Sequence, residues 1–304
     1  MKNIFWIIFL FSNLSFAQNK EQAQSLLPAI TLWTKIPDGP GPQGGEIISS
    51  KGSFTNISTP KLIIHQPIHP NGIAVLIVSG GGYAHIESGS EGNPAGEWLQ
   101  SKGITAFELI YRLPGESWAS KSVPFQDAQR ALRIIRSNAE KYNIDPGKIG
   151  ILGFSAGGHL AGYISSTFDT AYYPPQDATD QVSARPNFTA MIYPVVSMLP
   201  PNNNTHSFKS LLGKSSDTKE QIQYSVEKQV TVQTPITFLA QSEDDPISSV
   251  ENSILMFQAL KKNKVPAELH LFQSGGHGWG LGKEKNNTGE WTDLFLNWLK
   301  INGL

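Results

Sequence analysis

The chain has 304 residues, a formal net charge of -1 with histidine neutral, 39% hydrophobic residues and no cysteine. That balance belongs to a globular protein with a full core, and it lacks the basic stripe with which proteins displace counterions from nucleic-acid phosphates. Without cysteine there are no disulfides, thiolate metal ligands or thiol nucleophiles, so any protein nucleophile is an oxygen or an amine.

The N-terminus, "MKNIFWIIFLFSNLSFAQNK", places Lys2 before an apolar run from Ile4 to Phe11 and ends in Ser15-Phe16-Ala17. This predicts a secretory signal over residues 1–17, cleaved after Ala17. The run is too short to span a hydrocarbon core of about 30 Å, so a stable membrane anchor is not expected. A buried N-terminal helix is the competing reading. Residues 18–59 mix Pro, Gly, Ser and Asn and predict an extended lead-in to a single domain over residues 60–304.

From residue 60 onward, short β-rich runs alternate with helical patterns. Strands are expected near "KLIIHQP", "IAVLIVS", "ITAFELIY", "KIGILGF", "FTAMIYPV", "PITFLAQ" and "AELHLF", and helices near 93–102, 125–142, 156–167, 248–263 and 289–301. Such alternation predicts an α/β fold with a mostly parallel central sheet and helices on both faces. The helix over 125–142 is the clearest, with Ala128, Ala131, Leu132, Ile135 and Ala139 at helical spacing. In the last helix, Trp291, Leu294, Phe295, Trp298 and Leu299 form a core face. Residues 168–218, rich in Pro, Asn, Asp and Ser around one strand, read as loops of the kind that shape substrate pockets.

The stretch "KIGILGFSAGGHLAGYI" breaks a strand at Ser155 and restarts at once as a helix. "GFSAG", Gly153 to Gly157, fits G-x-S-x-G in the strand-to-helix setting of a nucleophile elbow, where small neighbours let one hydroxyl project above the sheet. A purely structural turn is the alternative. A serine hydroxyl needs a general base. Among the seven histidines, His277 in "QSGGHGWG" sits in a glycine-flanked loop after the last strand and is the best base. His159 lies one turn into the helix after Ser155 and reads as packing. His65 and His69 flank a proline in an extended segment rather than forming a helical metal pair, and His206 and His270 have ordinary structural readings. No metal site is expected.

The base needs a carboxylate to fix its tautomer. "TFLAQSEDDPIS" offers Asp244 and Asp245 after a strand; Asp245 is preferred because Pro246 fixes the turn that follows it, and Asp244 is the rival. The order serine, acid, histidine is one of the known serine-hydrolase orders. "VSGGGYAH" supplies three glycines after a strand, so Gly81 and Gly82 are expected to donate N–H groups to an oxyanion together with Ala156. Loss of one such donor typically costs about 2.7–4 kcal/mol in the transition state. A phosphate-binding glycine loop is disfavoured, because neither of its usual spacings is present.

Taken with "YRLPGE", "DAQRALRIIR", "GFSAGGHLA", "EDDPISSVENS" and "GGHGWG", this chain resembles the secreted bacterial carbohydrate esterases of the α/β-hydrolase superfamily, of the acetylxylan esterase and feruloyl esterase kind, over roughly residues 60–302. Ser248-Ser249 stands where many such chains carry Val-Pro. The resemblance implies an α/β-hydrolase catalytic domain that needs no cofactor. It also implies an acylated carbohydrate as the partner, with acetyl groups removed from xylan or its oligosaccharides through an acyl-serine intermediate. Tyr83 and Trp279 are the aromatic candidates to stack on the sugar, with Trp118 a weaker one and a place in the core or pocket wall the competing reading of each, while Arg112 and Arg130 read as structural ion pairs. A prolyl-oligopeptidase-type peptidase, a general short-chain carboxylesterase and a non-catalytic binding protein are the rivals. The sequence sets no oligomeric state, and it leaves open whether the exported chain stays in the periplasm.

Overall fold

Valine, isoleucine and leucine crowd the short apolar runs because strands covered on both faces have no solvent side to leave polar. In the computed structural model, which describes residues 27–283 and 286–304, these runs assemble into one eight-stranded sheet. The expected signal peptide lies outside the described residues. The strands are β1 (Ala29–Thr31), β2 (Ile47–Ile48), β3 (Phe54–Thr55), β4 (Lys61–His65), β5 (Ala74–Val78), β6 (Thr105–Ile110), β7 (Ile149–Phe154), β8 (Phe188–Ile192), β9 (Ile236–Ser242) and β10 (Ala267–Phe272). The helices are α1 (Asn93–Ser101), α2 (Val123–Ser137), α3 (Ala156–Ser166), α4 (His206–Leu211), α5 (Thr218–Tyr224), α6 (Glu251–Lys262) and α7 (Trp291–Ile301).

The sheet runs β1-β4-β6-β5-β7-β8-β9-β10, and β2 pairs with β3 in a separate hairpin. From β6 to β10 every pairing is parallel, while β1 and β4 add an antiparallel edge. Alternate residues of the central strands feed two cores. Leu76 and Val78 face α2, α3 and α6, where they join Leu132, Ile135, Leu160 and Leu260. Val75 and Ile77 face α1 and α7, where they join Leu99, Phe295 and Trp298. This two-sided cover is the α/β-hydrolase architecture.

Two expectations change. Residues 27–59, the described part of the expected extended lead-in, pack onto the main fold: β1 is a strand of the main sheet, and Leu32, Trp33 and Ile57 belong to its core. The cause is polar as well as apolar, because the Trp33 indole N–H donates to Asp127 and the Arg130 guanidinium donates to the Leu32 carbonyl. The loop region 168–218 also contains, besides β8, the two short helices α4 and α5. Their N-caps Thr205 and Asp217 accept the N–H groups of Phe208 and Glu220, the ordinary way to satisfy a helix start. None of the described helices is long and apolar enough to cross a membrane.

Candidate active site

β7 ends and α3 begins on consecutive turns of chain, and Ser155 between them adopts φ +52° and ψ -117°, a conformation that costs energy for any residue with a Cβ. Its neighbours explain the glycines. A methyl group on Gly153 would lie 2.1 Å from the Gly157 carbonyl oxygen, and one on Gly157 would lie 2.0 Å from the Val78 carbonyl oxygen. Backbone cannot retreat from such contacts. Gly153→Ala is therefore expected to deplete soluble folded protein, measured as yield and melting temperature against the parent chain.

Around the strained serine the backbone is fixed. Its N–H donates to the Ile192 carbonyl at 3.0 Å, and its own carbonyl accepts the N–H groups of Val195 at 3.1 Å and His159 at 3.2 Å. The hydroxyl sits 2.8 Å from His277 Nε2, and His277 Nδ1 sits 2.7 Å from Asp245 Oδ2. Because an ionised carboxylate only accepts, Nδ1 carries the proton and Nε2 is left free to take one from Ser155. The Asp245 side chain is fully buried. Its Oδ1 accepts the N–H groups of Ile247 and Ser248, and its Oδ2 also accepts from Gln241 Nε2.

Asp244 has a different place. Its Oδ1 accepts the N–H groups of Gly275 and Gly276, clamping the start of the loop that carries His277. Ser248 adds a tie of its own: its hydroxyl donates to the Pro194 carbonyl at 2.6 Å, and its carbonyl accepts from Gln241. The acid turn is thereby anchored to the segment following β8.

The glycine loop lies directly against the nucleophile. A methyl group on Gly80 would approach the Ser155 Cβ to 2.8 Å. The Gly80 N–H is spent on Glu91 Oε2 at 2.6 Å, which leaves Gly81 and Gly82 as the donors of this loop available to an oxyanion. The turn is closed by the Gly81 carbonyl, which accepts from Ala84 and His85. Gly81 and Gly82 take φ of +112° and +63°, values that suit residues without a Cβ. Ala156 opens α3, where the N–H has no acceptor in the preceding turn of helix. His206 borders the same loop: its Cβ lies 2.9 Å from where a Gly82 methyl would be, and the residue is exposed.

The aromatic expectations need correction. Tyr83 is 1% exposed, and its hydroxyl bonds His159 Nδ1 at 2.8 Å. Since His159 Nε2 faces the Tyr224 carbonyl and must donate to it, Nδ1 accepts from Tyr83. Burial lowers the His159 pKa to about 4, which keeps this ring neutral. Trp279 is 3% exposed and packs edge-on to Tyr193 with ring centres 4.5 Å apart. Trp118 is buried over the Arg112 guanidinium. Tyr83 and Trp279 face the core and Trp118 is buried against Arg112, so none offers a ring to a sugar.

Sequence reasoning passed over Glu91 and Tyr193. Glu91, 5% exposed, accepts from Gly80 and from the Tyr193 hydroxyl. It stands in "SGSEGNPAG", which reads as an ordinary turn, and no periodicity marks it. Among the described residues, no group of three or more His, Cys, Asp or Glu side chains is placed to hold a metal ion.

A model of the BD-FAE family matches residues 64–260. An acetylxylan esterase from Xylanibacter ruminicola is 32% identical over 244 residues, covering 79% of this chain and 48% of that protein. An endo-1,4-beta-xylanase B from Butyrivibrio fibrisolvens is 36% identical over 214 residues, covering 69% of this chain and 33% of that protein. The chain thus spans about half the length of the first of these relatives and a third of the second. The crystal structure of an acetyl ester-xyloside bifunctional hydrolase from Caldicellulosiruptor lactoaceticus superposes with a TM-score of 0.78 at 36% identity, covering 91% of this chain and 98% of the other.

Proposed function

The chain belongs to the BD-FAE family, and on that premise we propose that it is a serine esterase that removes short acyl groups, acetyl above all, from the hydroxyls of xylan or its oligosaccharides. The observation that carries this is the unbroken hydrogen-bonded chain from Ser155 through His277 to Asp245 beside the glycine loop. The acetylxylan esterase and the acetyl ester-xyloside hydrolase among its relatives support the choice of acyl group and sugar.

In this reading the Ser155 hydroxyl attacks the ester carbonyl while its proton passes to His277 Nε2. Negative charge on the carbonyl oxygen is met by the N–H groups of Gly81, Gly82 and Ala156. As the C–O bond to the sugar breaks, His277 returns the proton to the departing hydroxyl. Water then attacks the acetyl-serine with His277 as base, releasing acetate and restoring the hydroxyl. Asp245 keeps the imidazole in the needed tautomer and steadies its positive charge.

Ser155→Ala removes the attacking atom and should cost roughly a thousand-fold or more in kcat. Acetate release from acetylated xylan and from p-nitrophenyl acetate, measured on parent and variant together, tests this. Loss of both activities in the variant supports the proposal. Turnover of the small ester alone would withdraw xylan and leave a general short-chain carboxylesterase, and equal rates in the variant would withdraw the nucleophile.

The N-terminal sequence further supports export, with cleavage after Ala17. Mass spectrometry of the protein recovered outside the cytoplasm is expected to find a chain beginning at Gln18. An intact Met1 in that fraction would contradict it.

A further inference from the structure

We propose that Glu91 is a positioning residue that ties the glycine loop of the oxyanion donors to the loop that carries His277, holding the two halves of the site in register. The inference rests on the esterase reading above and adds a residue to its machinery.

Glu91 lies in the π-helical turn Ser88–Gly92 that leads into α1. One carboxylate oxygen accepts the Gly80 N–H at 2.6 Å, at the start of the glycine loop. The other accepts the Tyr193 hydroxyl at 2.9 Å, and that hydroxyl accepts the Gly280 N–H at 3.0 Å, three residues past His277. The Gly280 carbonyl in turn takes the Trp291 indole N–H at 3.0 Å, which fixes the loop to α7. Tyr193 is fully buried at φ +38°, directly after β8, and its ring lies against His277 with centres 4.9 Å apart. One carboxylate therefore holds both catalytic loops through three hydrogen bonds, on either side of Ser155. The His277 loop also meets the turn that carries Glu91 in backbone: a methyl on Gly280 would lie 2.8 Å from the Ser90 carbonyl oxygen.

A carboxylate buried for packing alone would be a costly choice, because desolvation disfavours its charge. Here burial pushes the carboxyl up to about 7, with Glu87 of its own segment raising it further. His277 across the site and the hydrogen bonds from Gly80 and Tyr193 lower it. The Tyr111 phenol is a further titratable neighbour, and its own pKa is raised by burial and by Glu91. The folded value lies above the ordinary 4.5, so the folded state holds this proton more tightly than the unfolded chain does. Its ionisation therefore withdraws stability as pH rises from 4.5 to about 7, and a glutamine, which cannot ionise, escapes that loss.

The test uses the full chain with Glu91→Ala, Glu91→Gln, Tyr193→Phe and Ser155→Ala, following kcat and KM on p-nitrophenyl acetate and melting temperature from pH 4.5 to 8. Misplacing catalytic groups by about an ångström costs on the order of a hundred-fold, so Glu91→Ala and Tyr193→Phe should lose roughly ten- to a hundred-fold in kcat with KM little changed. Glu91→Gln keeps the shape and an acceptor for Gly80, and its amide nitrogen can donate to the Tyr193 oxygen in place of the bond that hydroxyl donated, so it should restore most of kcat at pH 7. Its melting temperature should also rise relative to the parent between pH 4.5 and 7. Should Glu91→Ala fail to fold, Tyr193→Phe, which removes a single oxygen, decides. Parent-like kcat in Tyr193→Phe, or a folded Glu91→Gln as slow as Glu91→Ala, would overturn the positioning role. An inactive Ser155→Ala beside such results would leave the esterase reading standing, whereas an active Ser155→Ala would remove that reading first.

Discussion

Asp245→Asn is expected to lower kcat by about 10⁴-fold at neutral pH with KM nearly unchanged, while Asp244→Asn stays within about threefold of the parent. The difference follows from how many donors each carboxylate serves. Asp245 receives four: the backbone N–H groups of Ile247 and Ser248 on one oxygen, and Gln241 Nε2 with His277 Nδ1 on the other. An asparagine has only one oxygen. If that oxygen stays with the two backbone donors, the amide nitrogen points at His277 and donates to Nδ1. The imidazole must then carry its proton on Nε2, where it can no longer accept from Ser155. If the amide turns over, its nitrogen faces two N–H groups that cannot move, and buried donors without acceptors cost about 1–3 kcal/mol. Asp244 serves two donors through a single oxygen, which an asparagine oxygen replaces without rearrangement. Steady-state kinetics of the two variants on a small acetate ester check this, and the reverse pattern, with Asp244→Asn the inactive one, would reassign the triad acid.

The same turn shows where sequence stops being legible. The elbow at Ser155 could be read because its constraints are local: three small residues within five positions answer backbone contacts made by those same positions and the adjacent strand. His277 was legible for a related reason, since glycines on both sides of one polar residue after a last strand leave it few structural duties. The choice between adjacent aspartates depends on which way a turn after β9 faces, and Pro246 gives only a weak hint of it. Tyr83 and Trp279 misled because closeness in sequence to a catalytic residue says nothing of side. Both directions are open to a side chain next to a loop glycine, and here packing against His159 and Tyr193 took them inward. Glu91 and Tyr193 stand 102 positions apart and meet only through the order of strands in the sheet, so no window of sequence contains their relation. The early segment is a similar case. Its three-residue strand is too short to signal itself, and what draws it onto the sheet is a polar anchor in α2.

That anchor carries the second large effect. Arg112→Met is expected to destabilise the folded chain by about 3–5 kcal/mol, the cost of breaking a buried pair by removing one partner, with a melting temperature lower by roughly 10 °C. Both side chains of the Arg112–Asp127 pair are fully inaccessible, and the guanidinium is satisfied on every side. It donates to both Asp127 oxygens, to the Gln126 amide oxygen at 2.9 Å and to the Pro37 carbonyl at 2.6 Å, and it lies between the rings of Trp33 and Trp118. Methionine fills much of the volume but leaves the Asp127 carboxylate with only the Trp33 indole and the Arg112 backbone N–H. It also frees the Pro37 carbonyl, so residues 27–59 lose one of their holds on the sheet. The loss comes from stranding a charge and not from losing an intrinsically favourable bond. A double variant, Arg112→Met with Asp127→Leu, should therefore recover part of the stability that the single change removes. None of these groups touches Ser155, His277 or the glycine loop, so kcat per folded molecule should hold below the melting transition. Thermal and urea unfolding of the parent, the two single variants and the double variant measure the coupling. Additive losses in the double variant would mean that the two side chains are not energetically coupled and that Asp127 keeps adequate partners without its arginine, which would overturn the stranded-charge account.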